Sequence, residues 1–591
     1  MLHSRLVHYL ARFKGRYLLG LFLVVGASVV VMLPPVLIRE AIDAIDEGTT
    51  RSHLVALAAI ILAIAAFESV LRLTSRYLIS GTSRRVEYEM RNDLAAQLMA
   101  LDQSYYIKAH TGDIMARCTN DLQRVRDLAG PATVEISRAL AMMLIGFVFM
   151  LSIDVRLALI ALAYFPAIAL LMIRFQDTVE RRYTAVQDQF GELSNRVQEN
   201  VSGMRAIKAY AQEDSESEAF AVENRELMRR TMTWAIYMGA FWPLMTLVAG
   251  ASIALVLWFG GRDVVAGRLT IGEFVQFNAY LAILANPLMS LGWTVTMFQQ
   301  GVASMRRVAA VLDETPVIKD PAVPIDLESP RGEIEFRDVS LAYDGRTILQ
   351  DLSLRIPAGA TVALVGGTGA GKTTLANLLV RLHDPTTGAV LIDGVDVRNL
   401  ALRQLRDIVG FVPQESFLFS ESLRNNIALS REDASDAGLA FAVETSQLVN
   451  DLPQLTFDLE TVIGERGVTL SGGQRQRTAL ARALLKAPPI VVLDDALSHV
   501  DTHTEEAILS RLRSFMTERT TILIAHRTST LASADFIVAL EDGRVAEVGS
   551  HAELLAKGGV YAGFYQRQLL TEQIDEEPET AATSGDRGSG S

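Results

Sequence analysis

Six stretches, near residues 17–38, 54–80, 134–153, 155–175, 234–260 and 271–298, are each apolar over about the 20 residues that an α-helix needs to cross a bilayer. Helices this apolar belong in lipid or against one another, which excludes a wholly soluble chain. An even number of spans leaves both ends of the region on one face of the membrane. Lys and Arg decide which face: four precede the first span, seven fall in 81–130 and eight in 176–233, against five in the short loops (Arg39, Arg51, Arg156, Arg262, Arg268). The excess places the termini and the two long loops in the cytoplasm. The first span follows a basic start without a clear cleavage site, so it is read as retained and not as a signal peptide.

The two long loops are charged yet poor in Gly and Pro, and pieces such as EYEMRNDLAAQLMAL keep helical periodicity. The membrane helices are therefore expected to continue outwards as arms, about 25 residues reaching roughly 37 Å at 1.5 Å per residue. Their turning points are expected near Tyr105–Asp113 and Tyr210–Asp214. Within the spans, Glu68 and Arg72 stand four apart and can pair on one helical face. Gln276, Asn278 and Asn286 with Pro287 give the last span polar groups, read first as interhelical hydrogen-bonding partners. From Gly301 the apolar character fades, and Pro316, Pro321, Pro324 and Pro330 mark a linker over 311–331 between a membrane domain (1–310) and a second domain (332–570). The stretch 571–591 holds six acids against Arg587 and is expected to be disordered. A single cysteine, Cys118, excludes an intrachain disulfide.

The second domain carries a nucleotide site in pieces. Thr361–Val365 (TVALV) reads as a buried strand and runs straight into GGTGAGKTT: Gly366, Gly367, Thr368, Gly369, Ala370, Gly371, Lys372, Thr373 and Thr374. Glycines at this spacing let backbone N–H groups close around phosphates at a helix N-terminus. Lys372 offers a point charge to the phosphates and Thr373 a hydroxyl to Mg²⁺. A second short apolar run, Ile490–Leu493, ends in two carboxylates, Asp494 and Asp495. Asp494 suits Mg²⁺, held directly or through water. Further on, Leu470–Leu484 reads LSGGQRQRTALARAL; Ser471 can cap the following helix, and Gly472 and Gly473 leave its positive end unobstructed for a phosphate.

These motifs, in this order, resemble the ATP-binding cassette family. LSGGQ resembles its signature, which would give Ser471, Gly472, Gly473 and Gln474 a place at ATP, and the flanking pieces fit: Tyr343, Gln414 in VPQESFLF, GERG at 464–467, SHVD at 498–501 and His526 in LIAHR. Six spans with long arms ahead of one cassette resemble an ABC exporter half-transporter over nearly the whole chain. The resemblance implies a membrane all-α domain of six transmembrane helices with long cytoplasmic extensions, fused to an α/β P-loop cassette. It also implies two cassettes pairing head to tail, each ATP lying between one chain's phosphate loop and the other's signature. Tyr343 would then stack on adenine, Gln414 would reach Mg²⁺ or water, and His526 would contact the γ-phosphate. On side-chain chemistry alone these three also suit packing, a surface amide and a core histidine.

One position departs from the family pattern, which usually places Glu after the metal-binding Asp. Asp495 is one methylene shorter, and a carboxylate about an ångström out of place can cost on the order of 10²-fold in rate. The expectation is a site that binds ATP yet hydrolyses it poorly, beside an intact signature that completes a competent site whose Glu comes from a second, non-identical half-transporter. The alternative is a homodimer in which Asp495 still serves as the base, since Asp and Glu differ by only ~0.4 units in basicity. The chain is thus read as half of an ATP-driven exporter of small amphipathic, drug-like or lipid-like compounds, in contact with membrane lipids in a bacterial inner membrane. Two rivals are a cassette that gates a channel and a cassette ATPase acting on nucleic acid; the spans and the net charge of −13 argue against the latter.

Overall fold

The computed structural model describes residues 4–576 apart from 163, 344, 432, 465, 466, 468, 469, 526 and 532. The chain divides into two compact units, Met1–Ala100 with Ala109–Glu314, and Leu101–Lys108 with Thr315–Ser591. The first unit is helical: α1 (Ser4–Arg12), α2 (Lys14–Val30), α3 (Pro34–Asp46), α4 (Arg51–Ala100), then, after α5 (Gln103–Lys108) of the second unit, α6 (Thr111–Ala116), α7 (Leu122–Asp127), α8 (Thr133–Ile153), α9 (Val155–Leu162), α10 (Tyr164–Ser202), α11 (Met204–Ala209), α12 (Glu213–Val265) and α13 (Ile271–Leu312). Among the described residues, Lys14–Asp46, Arg51–Ala100, Thr111–Ile153 and Ile271–Leu312 are long and apolar enough to cross a membrane. The stretches at 155–175 and 234–260 lie in α9, α10 and α12.

The helices do run on past the apolar stretches, α4 for 50 residues and α12 for 53. The breaks fall beside α5 and α11, and α11 is set off by Gly203 at its N-cap and by Ala211, just past its end, at a left-handed φ of 50°. Three details differ from the sequence reading. The first apolar stretch is two helices, since Pro34 and Pro35 cannot continue a helix but suit the first turn of a new one. The last helix continues to Leu312 instead of fading at Gly301. Met305, Val308 and Ala309 are buried there, and Ser304 and Arg307 donate to buried Asp121 at 2.9 and 2.8 Å, so the segment is packed helix and not linker. Finally, α22 (Val560–Glu576) runs into the stretch expected to be disordered; residues 577–591 lie outside the described residues.

The second unit holds two sheets. The smaller is antiparallel, in the order β2 (Arg346–Ile356), β1 (Ile334–Tyr343), β4 (Thr387–Ile392), β5 (Val395–Asp396). The larger runs β10 (Arg544–Gly549), β9 (Phe536–Glu541), β3 (Thr361–Gly366), β8 (Thr520–Ile524), β7 (Ile490–Asp494), β6 (Val409–Val412), and all its pairings are parallel except β10 with β9. Strands β3, β7 and β8 are buried along their whole length, as parallel strands covered on both faces must be. One core joins the two sheets to α14 (Lys372–Leu379). A second gathers the helices α16 (Leu423–Ala428), α17 (Asp436–Thr445), α18 (Gly472–Leu485) and α19 (Thr502–Met516).

Candidate nucleotide site

Open parallel sheets bind ligands beyond the carboxyl ends of their strands, and here two such ends are one strand apart. Leu364 of β3 and Asp494 of β7 both stand level with Ile524 of the intervening β8, so the phosphate loop and the two carboxylates leave the sheet at the same edge. At 4.7–4.9 Å between strands, β3 and β7 are about 10 Å apart, a span that a triphosphate with its metal can fill.

The loop owes its shape to glycine. Gly366, Gly369 and Gly371 have φ of 154°, 84° and 97°, which side chains other than glycine's rarely allow. A Cβ on Gly366 would stand 2.4 Å from the Leu540 carbonyl, and one on Gly371 2.6 Å from Leu349 Cδ2. Gly367, Thr368 and Gly369 are exposed while Ala370 is buried as the loop's footing. Gly371 is the N-cap of α14 and, having no side chain, leaves the first N–H groups of that helix uncapped. Lys372 is buried, its Nζ donating to Gly366 O at 2.8 Å and Gly367 O at 3.1 Å, with a third donor to spare. Burial pushes its pKa below the ordinary lysine value, and the negative charges of Asp494 and Asp495 oppose that shift. Thr373 is exposed at the start of α14 and Thr374 half-buried.

Asp494 is 1 % exposed at the end of β7. Asp495 has a φ of 50°, a left-handed conformation that Asp and Asn tolerate better than most residues. Its N–H donates to Ile524 O at 2.8 Å, and its carbonyl accepts from the Gln476 side chain at 3.3 Å. Gln414 is exposed, two residues beyond the end of β6. Tyr343 closes β1 and meets the His383 ring edge-on at 5.0 Å; burial raises its pKa. Its sheet reaches the phosphate loop through Leu349 of β2. His526 lies outside the described residues, as do Glu465 and Arg466 of the GERG motif.

The signature stands apart. Ser471 caps α18 through a reciprocal capping box, its Oγ accepting from Gln474 N at 3.2 Å while its own N–H donates to Gln474 Oε1 at 2.9 Å. Among the described residues no hydrogen bond joins 471–474 to 366–374. Gly472 and Gly473 are small for a local reason: a Cβ on either would press on His499, at 3.2 Å from its Cβ and 2.9 Å from its carbonyl.

Three side chains that sequence reasoning missed hold these pieces in place. Gln476, 3 % exposed, donates to Ser498 Oγ at 2.8 Å and to the Asp495 carbonyl, and accepts from His499 N at 2.9 Å, so it ties α18 to the loop carrying Asp495. Arg477 grips Asp451 with bonds of 2.7 to 3.0 Å. Buried Glu505 of α19 accepts from Arg527 and from Thr530 Oγ1 at 2.8 Å, fixing the residue after His526. Gln476 and Arg477 sit inside the LSGGQRQR run itself; nothing local marks Asp451 or Glu505.

The family described as ABC transporter transmembrane region matches residues 17–288, and that described as ABC transporter matches 349–498. The chain belongs to the ABC transporters. A probable multidrug resistance ABC transporter ATP-binding/permease protein, YheI of Bacillus subtilis, is 36% identical over 559 residues, 94% of this chain and 95% of that one. The ATP-dependent lipid A-core flippase of Syntrophus aciditrophicus is 36% identical over 501 residues, 85% and 83% of the two chains. A bacterial Atm1-family ABC exporter solved with ATP bound superimposes with a TM-score of 0.77 at 28% identity, covering 95% of this chain and 98% of its own. The transporter is therefore an integral membrane protein with a helical transmembrane domain fused to a nucleotide-binding domain, and it is an ATP-driven exporter working with ATP and Mg²⁺. The glycine cradle, the inward ammonium and the paired carboxylates fit that cofactor chemically.

Proposed function

We propose that the transporter is one half of a heterodimeric exporter, and that its own phosphate loop belongs to the slower of two ATP sites. The phosphate loop, Gly366–Thr374, holds the phosphates. Lys372 contributes charge, Thr373, Asp494 and Gln414 hold Mg²⁺ directly or through water, Tyr343 supports the adenine, and Ser471–Gln474 meet the ATP bound by a second chain. On the family pattern, Asp495 takes the place of the base and His526 the role of contacting the γ-phosphate. The observation that carries the reading is the aspartate at 495. Its backbone is held on both sides, by Ile524 O and by the Gln476 amide, so a small backbone shift does not recover the missing methylene. Misplacing the base by about an ångström costs on the order of 10²-fold. The unobstructed signature supports a competent second site whose Glu the partner chain supplies.

The cargo is an amphipathic compound, drug-like or lipid-like, taken from the cytoplasm or the inner leaflet. The multidrug and lipid A-core names of the relatives support that class. The excess of Lys and Arg in the long loops supports cytoplasmic termini in a bacterial inner membrane. Isolation from native membranes is expected to recover a second half-transporter with Glu at the position matching Asp495. Inside-out vesicles carrying both chains are expected to accumulate an amphipathic dye when ATP is added. Isolation of this chain only with itself, or dye movement that ignores ATP, contradicts the proposal.

A further inference from the structure

The signature helix α18 is held from beneath by a carboxylate that the signature motif does not contain. Asp451 sits between two short turns, Leu448–Asn450 and Leu452–Gln454, whose Leu448 and Leu452 pack into the core of α16 to α19. It is 6 % exposed, and its oxygens receive three hydrogen bonds from the buried Arg477, Nε to Oδ2 at 3.0 Å and Nη2 to both oxygens at 2.7 Å. A fork so placed neutralises the guanidinium. A buried ion pair seldom stabilises a fold more than apolar residues of the same volume, so the pair calls for another reason. A fourth bond supplies it. Gln474 Nε2 donates to Asp451 Oδ1 at 3.2 Å, while the other end of the same amide, Oε1, accepts from Ser471 N at 2.9 Å.

An amide held at both ends has one orientation. Its carbonyl must face the Ser471 N–H and its NH₂ must face an acceptor, because a half-turn would set NH₂ against N–H at the serine. The carboxylate on the far side therefore decides which end of Gln474 meets Ser471. In turn Ser471 Oγ accepts from Gln474 N at 3.2 Å, which leaves the hydroxyl proton of this exposed residue to donate elsewhere. Arg477 acts on the residue between them: a Cβ on Gly473 would stand 3.5 Å from Arg477 Nη1, so the anchored guanidinium packs beneath the glycine. We propose that Asp451 is a positioning residue for the signature. Its carboxylate orients the Gln474 amide, the amide fixes Ser471, and the serine hydroxyl is thereby aimed at the phosphates of the nucleotide. The proposal rests on the reading above that this nucleotide is held by a second chain.

The test uses the complete transporter with its partner chain and reads phosphate release as kcat and as KM for ATP. In Asp451→Asn the side-chain oxygen is expected to turn to the charged donors of Arg477, which sets its NH₂ against the NH₂ of Gln474 and drives that amide to flip. The expected result is a kcat lower by about tenfold, the scale of one charge-assisted contact, with KM for ATP within about twofold because ATP binds first to the phosphate loops. Gln474→Glu alone sets two carboxylates face to face and is expected to lose a similar factor. Together, Asp451→Asn and Gln474→Glu restore the contact with donor and acceptor exchanged, and kcat is expected to return to within about threefold of wild type, a recovery that two independent losses of stability do not show. Should Asp451→Asn not fold, Asp451→Glu keeps the charge for Arg477 but carries the carboxylate past Gln474, and it is expected to lose the same factor. Wild-type kcat in either Asp451 variant, or a double variant no faster than the slower single one, overturns the proposal. Vanadate trapping of an azido nucleotide, resolved chain by chain, separates this proposal from the pairing it rests on. Reduced trapping on the partner chain, rescued in the double variant, supports both. The same loss and rescue on this chain's own loop supports the role of Asp451 and counts against the pairing; collapse with Gly472→Asp beside a wild-type rate with Asp451→Asn supports the pairing and overturns the role of Asp451.

Discussion

Two helix N-termini of the cassette, α14 and α18, offer their positive ends to phosphate in opposite ways. The start of α14 is built by omission: Gly371 caps it with no side chain, and the N–H groups beyond are open to an anion. The start of α18 is already closed on itself, Ser471 and Gln474 satisfying each other's backbone N–H groups. The open end needs its ligand to complete it, whereas the capped end is stable by itself and presents a finished surface. This suits a loop that must wrap a nucleotide and, on the proposed pairing, a signature rigid enough to dock on a nucleotide held elsewhere.

If the capped end serves a second chain's nucleotide, damage to it should fall on the competent site, and this is the largest effect expected. Gly472→Asp places a carboxylate where phosphate must approach, and ATPase activity of the whole complex should fall by on the order of 10²-fold or more. Gly472→Asn has nearly the same size without the charge and crowds His499 equally. A clearly milder loss for Asn would assign the effect to charge; equal losses would assign it to packing. Phosphate release by the purified complex is the readout.

If this chain's own loop belongs to the slower site, damage to the open end should be smaller for the complex. Lys372→Ala removes a buried ammonium aimed at the loop, and ATP affinity at this chain's own site should weaken by about tenfold or more, the scale of a charge-assisted contact. Hydrolysis by the complex should persist in part. Photolabelling with an azido nucleotide, resolved chain by chain, reads the occupancy, and unchanged labelling of this chain would refute the assignment of the loop.

The open end was more legible in the sequence than the capped one, for a physical reason. Strand, glycines, lysine and threonine follow one another over fourteen residues, 361–374, so everything that shapes the loop is local. The signature's cap is local too, but what holds it is not: Asp451 lies 26 residues before Arg477, and Ser498 22 residues after Gln476. In the membrane unit, apolar runs gave the helices, but not the break at Pro34 or the packing of 301–312. Asp121, which holds Arg307, is 186 residues distant.

Gln476 tests whether the two ends are joined within one chain. It is a positioning residue that binds the loop between Asp495 and His499 from the signature helix. Gln476→Leu keeps comparable bulk but leaves His499 N and Ser498 Oγ short of a partner, a loss of about 1–3 kcal/mol in local order. Hydrolysis should fall a few-fold, and the dependence of one site's nucleotide affinity on occupancy of the other should weaken. Gln476→Glu, which keeps the acceptor for His499 N, should recover part of that dependence. If hydrolysis falls while the dependence is unchanged, Gln476 supports the fold alone.

The smallest expected effect is also the most discriminating. If Asp495 is too short to place the attacking water, Asp495→Asn should leave steady-state hydrolysis of the complex within about twofold, since a group that does no proton transfer contributes little when neutralised. Asn tolerates the left-handed backbone at φ 50° as well as Asp does, so the loop should keep its shape and its bond to Ile524 O. Glu to Gln at the partner's matching position should nearly abolish activity. Asp495→Glu sharpens the point from the other side, because restoring the methylene should speed this chain's own site once the partner's base has been neutralised. In a homodimer with Asp495 as base, Asp495→Asn would instead cost on the order of 10²-fold or more. Measuring phosphate release for this chain alone and with its partner, wild type against both variants, separates the outcomes, and a large loss for Asp495→Asn in the complex would show that the shorter carboxylate still reaches its water.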